Sequence, residues 1–73
     1  MPVIIDTDNN TVVAHLQGEI DHHIAPELRK DIDLAIDRYR PEILVLDFDE
    51  VTFMDSSGIG LVMGRYKAVK AFG

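Results

Sequence analysis

Seventy-three residues allow one domain at most, and a chain this short buries only about 60% of the surface its unfolded form exposes, so its stability is small. The absence of cysteine excludes disulfide staples, a thiolate nucleophile and cysteine-based metal sites. A net charge of −6, spread along the chain, argues against a protein that reads a nucleic-acid backbone, which needs a basic patch.

The start, Met1 to Asp6, lacks the basic segment and long apolar core of a signal peptide. No apolar run approaches the ~20 residues of a membrane helix, so a cytoplasmic protein is expected. Val3, Ile4 and Ile5 open a first strand over residues 3–8, and Asp8-Asn9-Asn10 turns the chain, since Asn tolerates positive φ. Thr11 to Gln17 alternates, with Val12, Ala14 and Leu16 on one side and Thr11, Val13 and His15 on the other. These two runs make an antiparallel hairpin.

Gly18-Glu19-Ile20-Asp21 breaks the second strand, and Asp21 is placed to cap a helix, because its carboxylate can accept from an orphan backbone N–H. Pro26 suits a first turn. The helix runs from about 23 to 40, with Ile24, Leu28, Ile32, Ala35, Ile36 and Tyr39 on its inner face, and Pro41 stops it. Ile43-Leu44-Val45-Leu46 has the continuous apolar character of a central strand buried on both faces. Asp47 to Asp55 reads as an acidic loop. A second helix begins near Ser56, with Ile59, Val62, Met63, Tyr66 and Val69 as its inner face and Phe72 near its end. Lys67 and Lys70 lie where the helix dipole favours cations. The order strand-strand-helix-strand-helix predicts an α/β domain, a hairpin followed by a right-handed parallel crossover. Three strands are few for an independent domain of this class.

The stretch Phe53-Met54-Asp55-Ser56-Ser57-Gly58-Ile59-Gly60 joins a strand end to a helix start, where open α/β sheets meet ligands and partners. Its plainest reading is a helix cap by Asp or Ser. A serine here is also exposed, and a phosphate on it would sit well at a helix N-terminus while changing a partner surface sharply. Local physics does not separate Ser56 from Ser57. The glycines fail as a nucleotide loop: Met63 stands where a dinucleotide fingerprint needs its third glycine, and no Gly-Lys-Ser/Thr follows. Gly60 and Gly64, one turn apart, read as close-packing positions of the helix on the sheet. Adjacent His22 and His23 diverge by about 100° on a helix, so they make a poor metal pair, and a Gly-x-Ser-x-Gly hydrolase elbow is absent.

At these residues a family can be named. Gly18-Glu19-Ile20-Asp21-His22-His23, then a helix, then Phe53 to Gly60, resembles the STAS domain of anti-sigma factor antagonists. The Asp-His-His pair and the continuation Gly64-Arg65-Tyr66-Lys67 resemble its sporulation branch, the anti-sigma F factor antagonists. The resemblance implies a regulatory protein, not an enzyme, with no cofactor. It implies phosphorylation of Ser56 and partner contact through Asp21, Asp55, Ser57 and Gly58. The implied partners are an anti-sigma factor that is also a serine kinase and a membrane-bound serine phosphatase, with no nucleic acid and no membrane bound by the protein itself. When unphosphorylated the antagonist holds the kinase and frees the sigma factor; when phosphorylated it lets go. A STAS module of another system, such as general stress control, shares the same phosphosite, and a nucleotide-binding protein is the less favoured alternative. Members of the family run longer, so residues 1–73 are expected to be the N-terminal two-thirds of a single STAS domain, the C-terminal strand and helices missing. Pairing of two chains over the exposed strand edge is the other expectation.

Overall fold

A computed structural model describes the backbone of residues 3–70 and the side chains of residues 3–67. The elements are β1 (Val3–Asp8), β2 (Thr11–Ile20), α1 (Ala25–Tyr39), β3 (Ile43–Met54) and α2 (Ser56–Lys70), in the order the sequence predicts. β2 is the middle strand, antiparallel to β1 and parallel to β3. The hairpin pairs Val3 with Leu16 and Asp8 with Thr11, and Asn9 takes the left-handed φ of 53° that closes its turn.

The expected alternation of β2 holds: Val12, Ala14 and Leu16 are buried. Together with Val3 and Ile20 they meet Leu28, Ile32 and Ile36 of α1 and Leu61 of α2 in one core. Each fully buried aliphatic side chain contributes about 1.5–3 kcal/mol of transfer free energy. Ala25 joins the inner face of α1, whereas Tyr39, expected there, is exposed. Arg40 ends the helix in the left-handed region at φ 44°, donating its N–H to Ile36 O at 2.8 Å, and Pro41 follows.

Three expectations need correction. β2 does not break at Gly18. It continues to Ile20 through a bulge in which Gly18 takes φ 79°, accessible to glycine without strain. Nor is residues 47–55 an acidic loop, because β3 extends to Met54. From His15↔Asp47 to Gln17↔Glu50, β2 advances two residues and β3 three, and from Gly18↔Val51 to Glu19↔Phe53 β2 advances one and β3 two. Each extra residue is a bulge that spoils the period-2 pattern. Finally, Ile43 and Val45 are exposed, while Leu44 and Leu46 are half-buried toward the helices. β3 is an edge strand among the described residues, with one face uncovered.

The expected inner face of α2 is likewise reversed. Ile59, Met63 and Tyr66 are exposed and Val62 is half-buried, while Gly58, Leu61 and Arg65 point inward. Val69, Phe72 and the Lys70 side chain lie outside the described residues. The described sheet ends at β3, so the far side of α2 has no strand beneath it. Arg65, 6% exposed, pairs across to α1: its Nε lies 2.7 Å from Asp33 Oδ1, an ion pair without good hydrogen-bond alignment.

On the face away from the helices, His15 bridges all three strands. Its Nδ1 is 2.9 Å from Asp47 Oδ2 and its Nε2 is 2.9 Å from Asp6 Oδ2. Ionised carboxylates only accept, so both bonds together require the doubly protonated ring. The Asp47 bond, seconded by Asp6, raises the His15 pKa above 6.5 despite some desolvation. The Asp49 N–H, then His15, lower that of Asp47 below 3.8. A raised folded-state pKa stabilises fully below 6.5 and is lost as pH rises through the folded value. A lowered carboxylate value stabilises above 3.8 and is lost as pH falls through the folded value. The stability difference between wild type and His15→Gln is therefore expected to be largest near pH 5–6 and to shrink toward pH 8–9. Thermal melts of both proteins across that range check this; a difference independent of pH would refute the bridge.

Candidate functional site

β2 and β3 leave the sheet at the same level. Ile20 pairs with Met54, and the Asp55 N–H donates to Ile20 O at 3.1 Å. The parallel register therefore sets residues 21–24 beside residues 55–58. Asp21 Oδ1 accepts the N–H groups of His23 at 2.9 Å and Ile24 at 3.0 Å, and its carbonyl accepts from Ala25 at 2.9 Å. It thus caps the turn that leads into α1, a little earlier than the helix cap the sequence predicts; Ile24 occupies the formal cap without a side-chain bond. The Ile24 N–H chiefly lowers the Asp21 pKa below 3.8, with help from His23 and His22. Asp21 is an anion at neutral pH.

Asp55 is the cap of α2. Its Oδ1 accepts the Ser57 N–H at 2.8 Å and its carbonyl accepts the Gly58 N–H at 3.0 Å. Ser56 is then the first residue of the helix, exposed, and Ser57 behind it is half-buried. The two serines thus differ in exposure. The structure brings Asp21, Asp55, Ser56, Ser57 and Gly58 to one end of the sheet.

Gly58 is the glycine that close packing requires. A Cβ there would collide with Cγ and Sδ of Met54, whereas a Cβ on Gly60 or Gly64 meets nothing within 4 Å. The sheet-packing role assigned to Gly60 and Gly64 is thus corrected. Gly58→Ala is expected to cost about 1 kcal/mol, because Met54 must leave its rotamer, and Met54→Ala should remove most of that cost. Denaturation midpoints of the single and double variants test the coupling.

The sequence sets His22 and His23 aside as a poor metal pair. They lie in the turn before α1, with ring centroids 4.1 Å apart, and His22 Nδ1 is 3.9 Å from Asp55 Oδ2. Among the described residues no three His, Cys, Asp or Glu side chains converge to hold a metal ion. A groove of about 470 Å³ beside Ser57 also went unread; Arg29, Gly60, Gly64 and Arg65 help to line it. Its one sequence signal was the Gly64-Arg65 pair. No helix among the described residues is long and apolar enough to cross a membrane.

A sheet end that pairs an acidic turn with a serine-led helix start matches a known class. Residues 2–73 match the STAS domain, and the chain belongs to that family. It is 36% identical over 73 residues to an anti-sigma F factor antagonist of Paenibacillus polymyxa, all of this chain aligning with 62% of that protein. The unphosphorylated form of the anti-sigma factor antagonist SpoIIAA superposes with a TM-score of 0.81 at 37% identity, over 94% of this chain and 61% of that one. The phosphorylated form of SpoIIAA from Bacillus superposes with a TM-score of 0.76 at 37% identity, over 94% and 63%. The chain thus spans about three-fifths of the length of these relatives.

Proposed function

We propose that the protein is an anti-sigma factor antagonist of the sporulation type, switched by phosphorylation of Ser56. In the unphosphorylated state it binds an anti-sigma factor that is also a serine kinase, and so frees sigma F. Phosphorylated, it dissociates, and a serine phosphatase resets it. The observation that carries this reading is the Asp55-capped turn, which presents Ser56 exposed at a helix N-terminus beside the Asp21 turn. The protein is the kinase's substrate and performs no chemistry of its own. Asp21 and Asp55 flank the serine and contact the partner; Ser57 and Gly58 hold the turn's shape.

The test is intact mass after incubation with ATP and the anti-sigma F factor of Paenibacillus polymyxa. One added phosphate is expected on the wild type and on Ser57→Ala, and none on Ser56→Ala. Phosphate retained by Ser56→Ala would overturn the assignment.

A further inference from the structure

We propose that Met54 is a modification site, a methionine whose oxidation by hydrogen peroxide loosens the turn that carries Ser56; its consequence for phosphorylation rests on the function proposed above. Three observations converge on this side chain. Met54 is 42% exposed, so an oxidant in water reaches it. Its thioether nevertheless has a packing role. Cγ and Sδ fill the space that a Cβ on Gly58 would need, and Gly58 is buried although Ile59 and Gly60 beside it are exposed. The turn under this cover is the one that presents Ser56, held by the Asp55 carbonyl on the Gly58 N–H at 3.0 Å and by Asp55 Oδ1 on the Ser57 N–H at 2.8 Å.

Peroxide transfers one oxygen atom to sulfur. A lone pair of Sδ forms the S–O bond as the peroxide O–O bond breaks; the sulfur loses two electrons, the peroxide is reduced, and its other oxygen leaves as water with both protons. The product carries a polar acceptor on a formerly apolar side chain. That oxygen finds no donor in the turn, because the Ser57 and Gly58 N–H groups already donate to Asp55. A polar oxygen held against Gly58 without a partner is costly, so it turns to water and carries the thioether off the glycine. The first turn of α2 loses its cover, and fewer molecules hold Ser56 in the geometry a kinase reads. Met63 serves as the internal control: it is 56% exposed and open to the same reaction, but it lies about two turns along α2 from Ser56.

The whole protein is treated with hydrogen peroxide and the oxidised methionines are located by peptide mass. Amide exchange, thermal melts and the rate of phosphorylation by ATP and the anti-sigma F factor of Paenibacillus polymyxa are then measured on the same samples. Oxidised wild type and oxidised Met63→Leu are expected to exchange the Ser57 and Gly58 amides faster and to melt roughly 5 °C lower. Both should accept phosphate about threefold more slowly, the factor for a competent turn that is populated a third of the time. Met54→Leu keeps the volume without the reactive sulfur, and peroxide should leave its exchange, melting and phosphorylation unchanged. Methionine sulfoxide reductase should restore the oxidised wild type, which tests the proposal without any substitution. A Met54 that peroxide leaves intact overturns it. So do unchanged exchange and melting once Met54 carries the oxygen, or an equal loss in Met54→Leu. If exchange and melting respond as expected but the untreated protein takes no phosphate, the methionine site stands and the Ser56 switch fails.

Discussion

Ser56→Asp is expected to bind the anti-sigma factor about 10- to 100-fold more weakly than wild type, and Ser56→Ala as tightly as wild type. The reason is charge, since like charges juxtaposed across an interface cost several kcal/mol and each ~1.4 kcal/mol is tenfold in affinity. The surface around Ser56 already carries Asp55 and an Asp21 carboxylate held ionised by backbone N–H groups. One further charge adds to that field, and a phosphate adds about −1.5 to −2, so the phosphorylated protein should bind more weakly still. The fold should not suffer. Ser56 is exposed in the first turn of α2, where the helix dipole favours an anion by about 0.3–1 kcal/mol. Ser56→Asp should therefore melt at the wild-type temperature or slightly above it. Titration calorimetry and thermal melts on the same samples separate the outcomes. Equal binding of the aspartate and alanine variants would remove electrostatic release, and a strongly lowered melting temperature would move the cause from the interface to the fold.

What the sequence made legible is what local pattern controls. The hairpin was readable because Asn9 and strict alternation specify the same turn and the same face. The inner face of α1 was readable because Leu28, Ile32 and Ile36 recur at helical spacing and all three are buried. The motif from Asp55 to Gly58 was readable as a helix start. Its partner loop was not, because the parallel pairing of Ile20 with Met54 depends on β3 being twelve residues long. Bulges hide that length: Phe48, Val51 and Phe53 fall out of step while acidic residues fill the gaps. α2 fails for another reason. Its most apolar stripe contains Ile59, Met63 and Tyr66, but the inward face of a helix is set by what lies beneath it. Beneath α2 lie the Ile32 and Asp33 region of α1 and the edge of β3, and these receive Leu61 and Arg65 instead.

Arg65 leads to the largest expected effect on stability. Its side chain is 8% exposed, against 42% for Asp33, so most of the desolvation falls on the guanidinium. Removing one partner of a fully buried pair costs about 3–5 kcal/mol, because the other charge is left in a low dielectric. The partial exposure of Asp33 lowers the expected cost of Asp33→Ala to roughly 2 kcal/mol. In a domain of this size that is roughly 10 °C in melting temperature and a large share of total stability. Arg65→Met should behave differently. It keeps the aliphatic stem that packs beside Leu61 and removes the charge that had to be desolvated, so it should be neutral or mildly stabilising. In the Arg65→Met background, Asp33→Ala should then cost only a few tenths of a kcal/mol, the ordinary loss at a surface position. Urea denaturation of the four proteins closes the cycle. Similar losses in both single variants would mean that the 2.7 Å contact repays the desolvation of Arg65. A loss confined to Asp33→Ala would mean that the arginine is tolerated in the core only because Asp33 is there to meet it.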